Sequence, residues 1–576
     1  MKPIVEFLTL RNKLSSKSQK AGSSGHKNEK LPLLLVLLIS LIAVINLIKP
    51  GFYSMYDDMQ VIRLQQMDMC IKDGQIPCRW VPDLGYGYGY PLFQYYAPLP
   101  YYTMEAFHLV GFSYIDSVKI GFGLSVFLSA IFMYFLSRQF LNKVPSLFAS
   151  TLYVLLPLRA ADLYVRGGMG QLWGMAALPL FLLGLELLIR KRGNRQLAFF
   201  AITTAVFFLS HNLTILMSIP LLLAWFLVRI VMEKNKRLEM IKSVSAGFVL
   251  GLLVASFFII PLIVERNQVH LETLTQGYFN YLAHFINLKQ IFVSTQWGYG
   301  PTILGPGDNV FLGLGPIHFL FATLGFLVAF FKTKKQAKKL AIALFIVLMG
   351  SLFLAHERSS FIWNVIPQLS YVQFPWRFVL IAGFCASFLG AFWLNTINKK
   401  VAPAIYAVIL IVILAFYGCF FAPKDWFYIT DEQKLSGENY QKQITASIYD
   451  YLPKSASKNP DDQAPTTVFA GEGEIIIDSF EKGTNWHKVS LQVLSESAQI
   501  VFPSYDFPGW KIWVNDVEIK TERYSELGLI STKLSRGSYN ISAKLTNSPS
   551  RTVGNIFSVV GLGVVSVLLF SKKKHV

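Results

Sequence analysis

The sequence is short of charged residues. They fill 15% of the 576 positions, whereas a soluble domain carries about 25%. Apolar residues account for 53% of the chain, so too few polar residues remain to build a water-facing surface for a protein of this length. This shortage argues against a soluble globular protein and predicts a polytopic α-helical membrane protein.

Several motifs that carry known chemistry are also missing from the sequence. No Gly-rich loop ends in Lys followed by Ser or Thr, so nothing indicates ATP hydrolysis. No cluster of Cys and His has the spacing of a zinc site. The apolar segments lack the central charged residues that proton-coupled carriers usually place there.

The chain carries a net charge of +19, but a nucleic-acid partner is not expected. Lys and Arg fall mostly in short runs between apolar segments, which is the pattern that the positive-inside rule predicts for a membrane protein. The expected surroundings are membrane lipids.

About twelve apolar segments approach the 20 or so residues that a membrane span requires. The first follows a basic tail and lacks a small-residue cleavage site, so it is predicted to be retained as a span. The predicted spans are residues 31–48, 117–136, 144–158, 172–189, 197–210, 213–231, 244–264, 310–331, 340–354, 378–394, 402–420 and 556–570.

Placing all the basic loops in the cytoplasm gives a consistent alternation of these spans, with both termini cytoplasmic in the cell membrane. It requires 197–231 to form a helical hairpin with its tip at 210–212, and 98–112 to lie along the membrane interface. The outer side then receives residues 49–116, 159–171, 265–309, 356–376 and 422–555.

The long region after residue 421 is predicted to be a β-sandwich-like domain. Apolar and polar residues alternate at 474–478, 488–493 and 511–514, with turn residues between them. The predicted organisation is a disordered basic cytoplasmic tail at 1–30, a multi-span domain at 31–421 with an outer loop at 49–116, an extracytoplasmic β-rich domain at 422–551, and a final span with a basic cytoplasmic tail at 552–576.

The chain has only four cysteines. Cys385 and Cys419 lie in apolar segments and are expected to be inert packing residues. Cys70 and Cys78 lie in the first polar loop, where either a disulfide or two free thiols is consistent with the sequence.

The pair Asp57 and Asp58 follows the first span closely. Adjacent carboxylates near a low-dielectric region have shifted pKa values, so one can act as a base or hold a divalent cation while the other supports it. The alternative is an acidic pair that merely begins a loop. Further along, Tyr86 and Tyr88 alternate with glycines, as stacking faces for sugar rings or prenyl chains or as part of an interfacial aromatic belt.

Other ionisable residues lie where outer loops meet spans. Arg159 and Arg166 are suited to bind phosphate, with Asp162 between them, although a structural Arg–Asp pair is the alternative. His211 at the predicted hairpin tip is either a site residue or a satisfied structural one. Arg377, at the start of a span, either meets a lipid phosphate or extends to the interface.

The order of these features resembles the GT-C superfamily of membrane glycosyltransferases, in which an acidic pair follows the first span and another acidic residue lies in the next outer loop. The parallels here are Tyr56-Asp57-Asp58 and Asp162. In the protein O-mannosyltransferase branch the pair is Asp-Glu, followed two residues later by His. This chain has Gln60 there, so that branch's acceptor does not carry over.

The chain also resembles the bacterial and archaeal 6-pyruvoyl-tetrahydropterin synthase-related membrane proteins over most of residues 30–570, although it contains no soluble pterin-enzyme module. The matching stretches are 74–77, 79–80, the Gly-Tyr run that ends at Phe93, 210–213, 373–378, 451–453 and 505–510.

These resemblances imply an inverting glycosyltransferase that uses a polyprenyl-phosphate-sugar and an extracytoplasmic glycan, lipid or protein acceptor. They imply Asp57 as the base, Asp58 and Asp162 as residues that orient it or hold Mg²⁺ or Mn²⁺, and Arg159, Arg166 and Arg377 as phosphate ligands. The alternative is a non-catalytic envelope protein or a lipid or polysaccharide transporter. An enzyme predicts one outer cavity that joins the acidic pair to an arginine, whereas a carrier predicts a central cavity that alternates across the membrane.

Overall fold

The computed structural model describes residues 29–233, 235–294, 296–304, 308, 310–333, 335–446 and 451–571. Within this part of the chain, eight helices are long and apolar enough to cross a membrane, and two bent helix pairs raise the number to ten. The predicted multi-pass α-helical membrane fold is therefore confirmed. The tail predicted at 1–30 lies almost wholly outside the described residues.

Each of the twelve predicted spans overlaps a helix or a bent pair of helices. Two of these, Asn194–Ser210 and Pro316–Lys332, have 17 residues each. The single-helix spans are Lys30–Val44 with its 3₁₀ extension Ile45–Ile48, Tyr114–Arg138, Met169–Lys191, Asn212–Met232, Lys335–Leu354, Val379–Leu394 preceded by the 3₁₀ turn Pro375–Phe378, Ala402–Tyr417 followed by Gly418–Phe420, and Pro549–Phe570.

Two spans are broken. Lys143–Val154 bends by 45° into Pro157–Ala161 and the π-helical turn Asp162–Arg166, and Arg237–Val254 bends by 79° into Ser256–Val264. The first break comes just before Pro157, as expected because the residue before a proline disfavours helical backbone. The segment predicted at 310–331 becomes helical only at Pro316, because Gly315 has φ +82° and ends the preceding loop.

Burial separates central spans from peripheral ones. In the apolar stretch of Met169–Lys191, 100% of the residues are buried, and in that of Pro375–Leu394, 94% are buried. In the corresponding stretches of Asn212–Met232 and Pro549–Phe570, only 22% of the residues are buried. The peripheral helices expose Leu, Ile and Val outward, which is the surface that a lipid-facing helix requires.

Shorter helices fill the connections at one end of the bundle. In the first polar loop, Gln60–Lys72 packs on Leu99–His108, and the disulfide Cys70–Cys78 closes the loop that follows. The other short helices are Leu92–Tyr95, Leu288–Phe292, Ser360–Val365, Asp431–Lys434 and Gly437–Ile444, with 3₁₀ turns at Arg266–Gln268, Leu271–Thr275, Gly277–Phe279, Tyr281–Ala283, Glu357–Ser359 and Pro367–Val372.

The predicted C-terminal β domain is present as one antiparallel sheet. Its strands are β3 Phe469–Glu472, β4 Ile475–Lys482, β5 Trp486–Tyr505, β6 Trp510–Val514, β7 Val517–Ile519, β8 Glu522–Tyr524 and β9 Leu529–Leu545, and a separate pair joins β1 Phe52–Tyr53 to β2 Trp426–Phe427. The long strands β5 and β9 pair along most of their length, with two register shifts. Asn515 and Asp516 have positive φ in the β6–β7 turn, as a tight hairpin requires.

The sheet domain packs on the first polar loop. Trp80 lies against Trp510 and Phe507, with ring centroids 5.7 and 5.9 Å apart. Asp73 accepts hydrogen bonds from the backbone N–H and the hydroxyl of Thr484, at 2.7 and 2.6 Å. Residues from the two ends of the chain therefore form one surface over the helices.

Candidate active site

A cavity of about 810 Å³ opens at the end of the bundle where the sheet domain lies. Its walls come from the ends of spans and from the connections between them, including the first polar loop and the segment that precedes the sheet. Six cationic side chains and two carboxylates line it among the described residues: Arg63, Arg166, Arg266, Arg377, Lys434, Lys442, Asp57 and Asp58. The cavity therefore favours an anionic ligand.

The backbone at the acidic pair is hydrogen-bonded to the second polar loop, residues 159–171. The N–H groups of Tyr56 and Asp57 donate to the carbonyls of Val165 and Arg166 at 2.8 and 2.9 Å. Gly167 follows with φ +71°, and a Cβ there would come within 3.0 Å of the Asp57 carbonyl. Glycine is required at this turn because both the backbone conformation and the close approach exclude a side chain.

Asp57 is held by the helix that follows it. Its Oδ2 accepts from Arg63 Nη1 at 3.1 Å and from Gln60 Nε2 at 3.2 Å. Gln60 is fixed in turn by the Tyr101 hydroxyl, which donates to its Oε1 at 2.6 Å. Both bonds to Asp57 fall on one oxygen, so Oδ1 is its available acceptor among the described contacts.

Asp58 has a cationic partner from far along the chain. Its Oδ2 accepts a hydrogen bond from the ammonium of Lys434, which is 376 residues away in the sequence. Its other oxygen, Oδ1, is buried and has no hydrogen-bond partner among the described residues. Burial raises the pKa of Asp58, although the charge and hydrogen bond of Lys434 partly oppose that rise.

Arg166 and Arg377 are two of the six cationic side chains in the cavity wall. Arg166 pairs with the fully buried Asp162, which also accepts from Gln171 at 2.7 Å. The Arg166 guanidinium lies 4.4 Å from the centre of the Trp376 ring, and Arg377 lies 4.7 Å from that of Phe374. Stacking on aromatic faces orients both guanidiniums.

Two hydrogen-bond donors at this pair have no partner among the described residues. Arg377 Nη1 donates to the carbonyl of Val372 and to Gln373 Oε1 at 2.8 and 3.0 Å, but Arg377 forms no ion pair with a described carboxylate. Its Nε and the Nε1 of Trp376 are buried without a hydrogen-bond partner among the described residues. Buried donors of this kind are costly unless a ligand or water satisfies them.

His211 also lines the cavity, at the break between Asn194–Ser210 and Asn212–Met232. Its Nδ1 accepts from the backbone N–H of Thr214 at 3.3 Å and caps the second helix. Gly170 lies so close that a Cβ there would be 2.9 Å from the imidazole ring. Burial, followed by the charges of Arg377 and Arg166, lowers the pKa of His211 to about 3, so this side chain is a neutral cap and wall residue.

Several predicted site residues lie outside the cavity wall. Arg159 is fully buried, and it donates to the carbonyl of Tyr153 and the hydroxyl of Ser129 at 3.1 and 2.8 Å. Asp162 does not line the cavity, but it forms an ion pair with Arg166, which does. Tyr86 and Tyr88 pack against the sheet domain, where the ring of Tyr88 lies 5.3 Å from that of Tyr505.

The aromatic lining of the cavity comes instead from residues that the sequence analysis did not propose as stacking faces. Tyr56, Tyr95, Tyr96, Tyr278, Tyr371, Phe374, Trp376 and Tyr451 supply it. Arg63 and Lys434 were also missed. The only sequence signal for Arg63 was its place six residues after Asp57 in a loop with a helical pattern, and Lys434 carried no local signal.

The described residues do not fit a resident divalent metal ion. Asp58 pairs with Lys434, Asp57 with Arg63, and Asp162 with Arg166. No group of three or more His, Cys, Asp or Glu side chains that could hold a metal occurs within the described ranges. Mg²⁺ and Mn²⁺ favour oxygen ligands around the ion, but each of these carboxylates already has a cationic side chain on one of its oxygens.

Comparison with other proteins finds relatives that match part of this chain. A protein described only as uncharacterised, from Lactococcus lactis subsp. cremoris, is 27% identical over 228 residues, which cover 38% of this chain and 35% of that protein. The chain thus spans about a third of this curated relative.

Among solved structures, the arabinofuranosyltransferase AftD from Mycobacteria is 14% identical at a TM-score of 0.45, over 69% of this chain and 27% of that one. The oligosaccharyltransferase of Archaeoglobus fulgidus is 15% identical at 0.44, over 68% and 55%. ArnT from Cupriavidus metallidurans, solved with undecaprenyl phosphate, is 10% identical at 0.41, over 67% and 63%.

A family model for the 6-pyruvoyl-tetrahydropterin synthase related domain, described as a membrane protein, matches residues 93–422. The match covers more than half of the chain and includes the second polar loop, the helix break at His211 and the turn that carries Arg377. The chain therefore belongs to the 6-pyruvoyl-tetrahydropterin synthase-related membrane protein family.

Proposed function

We propose that the protein is a membrane glycosyltransferase of inverting type, which moves a sugar from a polyprenyl-phosphate donor to an extracytoplasmic glycan, lipid or protein. The observation that carries this proposal is one cavity that joins Asp57 and Asp58 to Arg166 and Arg377. A carboxylate base and a phosphate-binding pair of guanidiniums are the two groups that this transfer needs.

The roles follow from the contacts of each side chain. Asp57 Oδ1 takes the proton of the acceptor hydroxyl, whose oxygen attacks the anomeric carbon of the sugar. The bond from that carbon to the phosphate oxygen of the lipid breaks, and the electron pair leaves with the phosphate. Arg166 and Arg377 stabilise the negative charge that accumulates on the leaving phosphate by charge-assisted hydrogen bonds.

The donor's lipid chain has an apolar path beside the arginines. Leu262, Leu271, Leu274 and Phe279 line the cavity near the end of a bent span. These side chains suit an isoprenoid chain, while the aromatic lining suits the faces of a sugar ring. The segment that precedes the sheet covers the acceptor side, since Lys434, Asn439 and Tyr451 also line the cavity.

The principal alternative is a lipid or polysaccharide transporter. A carrier places its site near the middle of its spans, where broken helices of two repeats meet. Here the charged lining comes from a loop at Asp57 and Asp58, from the end of a span at Arg166 and from the opening turn of a span at Arg377. A site at one end of the bundle favours an enzyme over a carrier or a non-catalytic envelope protein.

We also propose that this end faces the cell exterior and that both termini are cytoplasmic. The connections away from the cavity carry the basic runs, such as Arg190–Arg192, Lys332 and Lys399–Lys400, and basic connections stay in the cytoplasm.

The decisive experiment is transfer by the full-length protein in liposomes with a panel of radiolabelled polyprenyl-phosphate sugars and cell-envelope acceptors. Wild type is expected to transfer one sugar and release polyprenyl phosphate. Asp57→Asn is expected to reduce the rate by about 10²- to 10⁴-fold, and the Asp57→Asn, Asp58→Asn double variant to abolish it.

The matched control is Asp478→Asn, an exposed strand residue in the sheet domain whose loss should leave the rate unchanged. Undiminished transfer by the double variant would refute the mechanism. Movement of an intact sugar-lipid across the bilayer, with no transfer, would identify a carrier.

A further inference from the structure

Lys434 is positioned in the cavity wall by a short helix that is anchored to a span. It closes the four-residue helix Asp431–Lys434, which begins with a capping box formed by Thr430 and Gln433. Asp431 accepts from the backbone N–H groups of Tyr114 and Ile115 at 2.6 and 3.0 Å, which anchors this helix to the start of a span.

The other side of Lys434 is fixed as well. Its carbonyl accepts from Gln443 Nε2 at 2.8 Å. Its ammonium lies 5.6 Å from the centre of the Phe52 ring while it donates to Asp58, and the residue is 9% exposed. A long, flexible side chain is thus held in one place by contacts of its backbone and its ammonium.

The acidic pair consequently has one cation for each carboxylate. Arg63 forms an ion pair with Asp57, and Lys434 forms one with Asp58. The two cations come from opposite sides, one from the helix after the pair and the other from the segment before the sheet. Divalent cations that bind carboxylate pairs occupy the same kind of position.

We propose that Lys434 is a built-in replacement for a divalent cation at Asp58: a positioning residue that orients this carboxylate and keeps metal ions out of the cavity. An ammonium and a guanidinium beside the pair repel an incoming Mg²⁺ or Mn²⁺. Lys434 also uses the Asp58 oxygen that a metal ion would need.

Removal of the ammonium creates the missing site. Lys434→Ala leaves Asp58 Oδ2 without its cationic partner and vacates the space that the ammonium occupied, where a hydrated ion can bind. Lys434→Met removes the charge but keeps an unbranched apolar side chain, so it serves as a second variant with less disturbance of the packing.

The test is binding of Mn²⁺, followed by electron paramagnetic resonance, to the full-length protein in lipid nanodiscs. Wild type is expected to bind no Mn²⁺ at this site up to millimolar concentrations. Lys434→Ala and Lys434→Met are expected to bind one ion with a dissociation constant of about 10⁻⁴ to 10⁻³ M, as in weak sites with few carboxylates.

A further Asp58→Asn substitution in either variant should abolish that binding. The proposal is overturned if wild type binds Mn²⁺ in a manner that Asp58→Asn removes, or if both Lys434 variants bind no better than wild type. The inference deepens the proposed function, but the binding readout does not depend on sugar transfer, so failure of one is distinguishable from failure of the other.

Discussion

The guanidinium of Arg551 donates two hydrogen bonds to one carboxylate oxygen of Glu265, from Nε at 3.1 Å and from Nη2 at 2.7 Å. The other oxygen of Glu265 accepts from Ser548 and Ser550. This buried pair joins the end of a bent span to the start of the last span, and so connects the sheet domain to the bundle on which it packs.

Removal of one partner should destabilise the protein strongly. Arg551→Met leaves the Glu265 carboxylate buried without its cation, so the expected loss is about 3–5 kcal/mol, measured as a lower unfolding temperature in detergent. The control is Lys511→Ala, which breaks the exposed pair with Glu518 and should cost no more than about 1 kcal/mol. Equal effects of the two substitutions would contradict this assignment.

The same pair should make stability fall in acid. Burial alone would raise the pKa of Glu265, but Arg551 and the hydrogen bonds from Ser548 and Ser550 outweigh it and hold the pKa below its usual value. The stabilisation is therefore present above about pH 4.3 and is lost as the pH falls through the lower, folded-state pKa. Unfolding temperatures below pH 4 should decline less steeply for Glu265→Gln than for wild type.

Glu105 should give the opposite dependence on pH. Burial, followed by the nearby charge of Asp68 and a hydrogen bond to it, raises the pKa of Glu105 to about 8, and both of its carboxylate oxygens are buried. The folded state then binds a proton that the unfolded state releases, so stability is full below about pH 4.3 and falls as the pH rises toward 8.

The measurement is the unfolding temperature between pH 5 and 8, with an expected slope of up to about 1.4 kcal/mol per pH unit from this group. Glu105→Gln, which stays neutral, should flatten the slope and be more stable than wild type at pH 8. Parallel curves for the two proteins would show that Glu105 does not titrate in this range.

Orientation in the membrane can be tested with two exposed lysines from opposite ends of the molecule. Lys520 lies in the sheet domain, and Lys399 lies in a basic connection between two spans. In a background that lacks the exposed Cys419, Lys520→Cys should react with a membrane-impermeant maleimide on intact cells. Lys399→Cys should react only after permeabilisation, and the reverse pattern would place the cavity in the cytoplasm.

Gln373 is expected to be a positioning residue for Arg377. It has φ +66°, a backbone conformation that costs a non-glycine residue energy and often marks functional sites. Its side chain accepts from Arg377 at 3.0 Å and donates to the carbonyl of Leu274 at 3.0 Å. It therefore links the guanidinium to the apolar wall.

Gln373→Gly relieves the strained backbone but removes one of the two described hydrogen bonds that orient Arg377, so it should weaken binding of polyprenyl phosphate by about tenfold or more, as expected for loss of a hydrogen bond to a charged group. Gln373→Glu keeps the acceptor for Arg377 and should retain most of the affinity. Binding is measured by quenching of tryptophan fluorescence in nanodiscs, and equal affinities for wild type and Gln373→Gly would count against this role.

Local chemistry determined much of this protein. The spans follow from apolar runs of the right length, and strands such as β4, β5 and β6 follow from period-2 alternation. Both patterns depend on neighbouring residues and on the solvent that each side chain must meet. The acidic pair was identifiable for the same reason, because two carboxylates beside a span are unusual wherever the rest of the chain lies.

Only the tertiary structure decided which side chains meet. Arg159 and Arg166 look alike in the sequence, yet one bonds to Ser129 inside the bundle and the other reaches the cavity, since Arg159 precedes the π-helical turn and Arg166 ends it. Lys434 reaches Asp58 from the opposite end of the chain. Such pairings depend on how whole spans and the sheet domain pack, and no local pattern of residues encodes that packing.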